Sequence, residues 1–194
     1  PGRGSRRQTG VGGSFGSEAY PGEVTSVIDW KSQPRTLRPM LPEGGARRRG
    51  LIDDLDAGDL RMRYFYSRRV MERSELARLV QVDYTREMAF IATVPGPDGQ
   101  EKTLGVASAI ADPDNLGAEF GIILRPELKG SGLGRILLDK LIRYQRAAGT
   151  ARLVATVLTE NRRMRELARA LGFSEHAQPG DAGTLALALD LQRG

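Results

Sequence analysis

The run Lys129-Gly130-Ser131-Gly132-Leu133-Gly134-Arg135 constrains this chain more than any other stretch. An apolar strand pattern leads into it and a long amphipathic helix pattern leaves it. Glycines let the backbone approach an anion closely and adopt conformations that side chains resist. The opening turn of a helix presents unpaired N–H groups and the positive end of the helix dipole. Together these features make a cradle for a phosphate group. Neighbouring motifs are excluded by spacing. A dinucleotide fingerprint counted from Gly130 would need a third glycine where Arg135 stands, no Gly-Lys-Ser/Thr completes a nucleotide-triphosphate loop, and Lys129 stands where a serine-hydrolase elbow needs glycine.

Composition narrows the class further. The 194 residues suit one domain able to bury a core unaided. With no cysteine and one histidine, His176, neither a disulfide scaffold nor a cysteine/histidine zinc site can be built. No apolar run approaches 18 residues and no signal-type stretch opens the chain, which leads us to expect a soluble, cytoplasmic protein. The formal charge of +5 is spread among acids, and no aromatic residues interleave with a basic stripe, so an anionic small ligand is a better reading than nucleic acid.

Residues 1–34 differ from the rest. Positions 1–22 hold seven glycines and no leucine, isoleucine or methionine, too little apolar surface to offset the entropy of ordering. A flexible Gly/Arg-rich linker or tail is expected over 1–34 and a folded domain over 35–194. Opening on proline rather than methionine suggests a piece of a longer polypeptide. Periodicity predicts strands at 36–40, 87–94, 103–112, 117–125, 152–158 and 184–191. It predicts helical turns within 45–66 and helices at 74–82, 132–148 and 161–171. The stripe Met164, Leu167, Ala168 and Leu171 on the last helix reads as core.

This order, with these motifs, resembles the GNAT superfamily of acyl-CoA-dependent N-acetyltransferases over roughly residues 36–191. The superfamily turn reads Gln/Arg-x-x-Gly-x-Gly/Ala, and lysine at position 129 keeps the positive charge. A closer resemblance is to the acetyltransferase domain of Pat-type bacterial protein lysine acetyltransferases. It is carried by Arg63-Tyr64-Phe65-Tyr66-Ser67, by residues 81–89, by Asp112-Pro113-Asp114-Asn115, by Ala118-Glu119-Phe120 and by Thr159-Glu160-Asn161. The resemblance implies an α+β GNAT fold, a mixed, mostly antiparallel central sheet flanked by helices on both faces. It implies acetyl-CoA as cosubstrate, with no metal. Its pyrophosphate would bind Lys129, Gly130, Ser131, Gly132, Leu133, Gly134 and Arg135. Its pantetheine arm would pair with backbone at Ile122, Ile123 and Leu124, where the strand splays from its neighbour, and touch Asn161, which could equally cap its helix. The implied partners are a protein with an acceptor lysine, in particular an AMP-forming acyl-CoA synthetase, and a fused acyl-CoA-synthetase-like domain that this chain lacks.

Chemistry and resemblance meet at Glu119. A lysine amine has a reference pKa near 10.4, so about one in 2,500 is neutral at pH 7 and a base is needed. On the 117–125 strand, Ala118, Phe120, Ile122 and Leu124 share one face while Glu119, Gly121 and Ile123 share the other. Partial burial there would favour proton uptake and suit Glu119 as general base; the resemblance places the catalytic glutamate at the same position. The tyrosine that many GNAT enzymes use to protonate the leaving thiolate is replaced by Ala168, so no general acid is assigned. Tyr84, Arg86 and Glu87 could shape the acceptor side or anchor a strand, and Arg47-Arg48-Arg49 reads as a solvated face. Two other functions remain open, acetylation of a small amine and non-catalytic sensing of an acyl-CoA.

Overall fold

Residues 25–31, 33–39, 87–97 and 99–192 are described by the computed structural model. Alternating apolar positions pair into one eight-stranded sheet in the order β1-β2-β3-β4-β5-β6-β8-β7. The strands are β1 (Ser26–Trp30), β2 (Gln33–Pro39), β3 (Glu87–Pro95), β4 (Glu101–Ala111), β5 (Gly117–Leu124), β6 (Arg152–Leu158), β7 (Ser174–Gln178) and β8 (Asp181–Asp190). Helix α1 (Leu133–Ala147) connects β5 to β6, and α2 (Arg162–Ala170) connects β6 to β7. Every ladder is antiparallel except that of β5 with β6. A parallel neighbour requires a crossover, which α1 supplies.

Both helices cover one face of the sheet. Leu37, Phe90, Leu153 and Leu187 point to it from four strands and are fully buried with Leu133, Leu137, Leu138 and Leu141 of α1. Phe90 meets Tyr144 edge-on with ring centroids 5.7 Å apart, and Phe120 meets Phe173 at 5.0 Å. Burying such side chains is the main favourable contribution to the fold. The expected helix at 74–82 and the helical turns within 45–66 lie outside the described residues. Among the described residues, no helix is long and apolar enough to cross a membrane.

Two strands correct the sequence reading. The ordered sheet begins upstream of the boundary expected after residue 34, because β1 pairs with β2 from Ser26↔Leu37 to Trp30↔Gln33. Strand β7 was not expected, since Ser-Glu-His-Ala-Gln has no apolar alternation. It is an edge strand held from the side: Arg165 forks onto Glu175 with two bonds of 3.0 Å, and Arg169 adds a third at 3.2 Å. His176 lies on this strand and is exposed.

The hydrogen bond from Arg165, reinforced by Arg169 against a smaller desolvation cost, pulls the Glu175 carboxyl from its ordinary 4.5 down to about 2. A depressed carboxylate stabilises the fold above its unfolded pKa and loses that contribution as pH falls through the folded value. The Tm gap between the wild type and Glu175→Gln should therefore be widest well above pH 4.5 and close progressively between about 4.5 and 2. Thermal melts across that window, followed by circular dichroism, check it.

Candidate active site

The site follows from an incomplete ladder. β5 pairs with β6 only at Gly117↔Arg152, Ala118↔Leu153 and Glu119↔Val154. Beyond that point β5 keeps to β4 as far as Leu124, and β6 keeps to β8 as far as Leu158. The two strands diverge, and a cavity of about 930 Å³ opens between them. The splay implied by the resemblance is present, with Ile122, Ile123 and Leu124 on one wall. Ala155, Thr156 and Val157 form the other wall, residues to which the sequence reading gave no site role.

The wide end of this cleft is the glycine turn. Gly130 and Gly132 have φ of +73° and +90°, left-handed conformations that glycine adopts without strain. The next glycine serves packing: a Cβ on Gly134 would lie 3.2 Å from Leu124 Cδ1 and 3.4 Å from Ile122 Cδ1, so a methyl there would press on both side chains where α1 starts against β5. The amides of Ser131 and Leu133 are used internally, on the Leu128 carbonyl at 3.2 Å and the Ser131 hydroxyl at 3.4 Å. Those of Gly130, Gly132, Gly134 and Arg135 have no acceptor among the described residues, and all four residues line the cavity. Four unspent N–H groups at a helix N-terminus fit a diphosphate. Ser131 and Leu133, expected to bind cofactor, stand outside the lining, Leu133 because it is fully buried in the core.

Lys129 and Arg135 bring cationic side chains to the rim, joined by Arg162 and Arg163 at the start of α2. Asn161 caps that helix, its Oδ1 accepting from Met164 N at 3.2 Å, while also lining the cavity, so both roles weighed for it are geometrically compatible. The α2 stripe is only half core: Ala168 is fully buried, but Met164 and Leu167 line the cleft. Glu160, part of the Thr159-Glu160-Asn161 segment but given no site role from the sequence, also lines it.

Glu119 sits where the two strands part, in the last paired position, facing away from the helices. Its side chain is exposed, not partly buried as the sequence reading expects, with the half-exposed Ile110 and the intermediate Val154 as its cross-strand neighbours. Glu87, across Ile110 on the same face, is buried; Tyr84, Arg86 and Arg47-Arg48-Arg49 lie outside the described residues. Among the described residues, no three His, Cys, Asp or Glu side chains converge on a metal position.

A sequence model of the acetyltransferase (GNAT) family matches residues 56–173, more than half of the chain. The chain belongs to the GNAT acetyltransferase family. GNAT enzymes use acetyl-CoA, and this domain is an acetyl-CoA-dependent acetyltransferase of that type. An acetyltransferase of Pseudomonas aeruginosa is 28% identical over 146 residues, 75% of this chain and 78% of its own length. The crystal structure of the GNAT domain of S. lividans PAT shares the fold at a TM-score of 0.75 and 17% identity, covering 89% of this chain and 99% of its own. RimL, a ribosomal L7/L12 alpha-N-protein acetyltransferase solved with coenzyme A, superposes at a TM-score of 0.63 with 18% identity over 85% of this chain and 98% of its own.

Because a Cβ at Gly132 meets nothing within 4 Å, Gly132→Ala adds no clash. Its cost is the left-handed backbone, about 1–2 kcal/mol, which the variant recovers by relaxing the turn and must surrender again to bind. Calorimetric titration should show coenzyme A bound about 5- to 30-fold more weakly, with the fold retained.

Proposed function

We propose that this domain transfers the acetyl group of acetyl-CoA to the side-chain amine of a lysine in a target protein, with Glu119 as general base. The observation that carries this reading is the position of Glu119 at the vertex of the cleft. From Leu124 beside the phosphate turn to Glu119 is five residues of strand, about 17 Å at 3.3 Å per residue. An extended arm anchored by its diphosphate at the wide end and pairing with the unpaired edge of β5 brings its thioester to the narrow end.

Glu119 there takes a proton from the incoming ammonium, directly or through one water. The neutral nitrogen attacks the thioester carbonyl, the C–N bond forms, the C–S bond breaks, and coenzyme A leaves as a thiolate. The nitrogen's second proton passes through water to the thiolate, since Ala168 is buried and offers no donor where other GNAT enzymes carry tyrosine. Docking of the acceptor covers the otherwise open carboxylate, which strengthens its interactions with the reacting amine.

A protein acceptor is favoured over a small amine by access. Glu119 is exposed, beside Ile110 with half of its surface in solvent. An exposed carboxylate suits a side chain carried on a large surface, and the exposed isoleucine suits the alkyl stem of lysine. The Pat-type resemblance makes an AMP-forming acyl-CoA synthetase the acceptor to test first, and the cytoplasm the setting.

Glu119→Gln should fold normally and bind acetyl-CoA as the wild type does, while turnover falls about 10²- to 10³-fold. Thiol release at saturating acetyl-CoA, measured with an acyl-CoA synthetase and separately with polyamines, reads both the base and the acceptor class. Unchanged turnover removes Glu119 from its role; activity on polyamines alone replaces the protein acceptor with a small amine.

A further inference from the structure

The hydrogen bond of Trp30 to the glycine turn is unused by the chemistry above, although it spans 101 residues of sequence. The indole Nε1–H donates to the carbonyl oxygen of Ser131 at 3.3 Å. That carbonyl shares its peptide unit with the N–H of Gly132. The unit is planar and trans, so oxygen and hydrogen point in opposite directions. Holding the oxygen against Trp30 therefore aims the Gly132 N–H the other way. Gly132 lines the cleft, and its N–H has no acceptor among the described residues.

This peptide needs such a hold. Its rotation is set by ψ of Ser131 and φ of Gly132, and Gly132 stands at φ +90° with nothing that would crowd even a Cβ. With glycine on one side the unit can rotate at little cost, and a rotated unit would present an oxygen to an anion instead of a donor. Trp30 itself is firmly seated: it is 8% exposed, with Lys31 Nζ 5.0 Å and Arg35 Cζ 5.5 Å from its ring centroid. Its strand is secured to α1 by Lys140 Nζ, 3.0 Å from Ser26 Oγ.

We propose that Trp30 is a positioning residue that locks the Ser131–Gly132 peptide with its N–H toward the diphosphate of acetyl-CoA, making the β1–β2 hairpin part of the cosubstrate site. The inference rests on the reading of the turn as the diphosphate cradle. The hydrogen bond also polarises the peptide and strengthens the same N–H as a donor.

Trp30→Phe keeps an aromatic plug and deletes the donor. Coenzyme A affinity, measured by calorimetry on the full chain, should fall about three- to tenfold, the size of one hydrogen bond. The KM for acetyl-CoA should rise with it while kcat at saturation stays within about twofold. Val27→Ser, on the same strand with its side chain 69% exposed, should bind as the wild type does. Equal affinity in Trp30→Phe overturns the proposal, as does a loss of kcat that tracks a loss of Tm. If the wild type itself binds no coenzyme A, the cradle reading fails first. Trp30 is the one tryptophan in the chain, so the wild type gives a test independent of any variant. Its single indole N–H resonance should shift on adding coenzyme A and stay still with pantetheine, which lacks the diphosphate; no shift with coenzyme A bound overturns the assignment.

Discussion

Three parallel backbone pairs, Gly117 to Glu119 against Arg152 to Val154, hold together the two halves of the sheet. Everything functional follows from where they stop. On one side, β5 spends its hydrogen bonds on β4 along its whole length; on the other, β6 spends its own on β8. Each half is satisfied without the other, so the twist of the sheet can draw them apart once the short ladder ends. The inner edges of both strands are left with backbone groups that folding normally pairs. In most sheets such a split would be a defect; here it is lined by the glycine turn at one end and by apolar side chains of α2 along its back.

The cleft is polar at its mouth and carries a carboxylate at its vertex, and the same crossover explains both. Right-handed βαβ connection brings α1 back over the face that carries Ile122 and Leu124, and Gly134 allows its first turn to rest against them. The helix therefore begins above the wide end of the split, and its unspent amides collect there. Glu119 emerges on the opposite face, which neither described helix covers. The glycine turn and the Glu119 carboxylate are thus separated by the length of one strand and by the thickness of the sheet.

The legible part of this arrangement was the part set by local physics. Residues 130–134 need glycine for conformation and close approach, and the pattern is visible without a structure; the strand at 152–158 was placed to the residue because its apolar run is bounded by turn signals. The tertiary part was not legible. Ser26, Ile28 and Trp30 alternate inward against Val27 and Asp29, a real strand signal that the glycine-rich neighbours outweighed. Polar β7 exists because arginines on α2 hold Glu175, a contact with no trace in hydrophobic periodicity. Met164 and Leu167 read as core because a cleft wall and a core position share the same apolar spacing. The exposure of Glu119 is local to its end of the strand, since Ile123 on the same face is buried, and a strand pattern does not reveal that difference.

The hairpin at the far edge of the sheet bears on what a cosubstrate site requires. Amides make a strong anion cradle only when their directions are fixed before the anion arrives, since any freedom left in the turn is lost on binding and weakens it. The glycines that permit the geometry also loosen it. The Leu128 carbonyl and the Ser131 hydroxyl pin the amides on either side, but the Ser131–Gly132 peptide between them is out of their reach. The group that meets it comes from residue 30, so the turn is complete only after the first strand has joined the sheet. Preorganisation of the cradle is in this sense a property of the whole sheet, from its first strand to its fifth, and not of the motif that announces it.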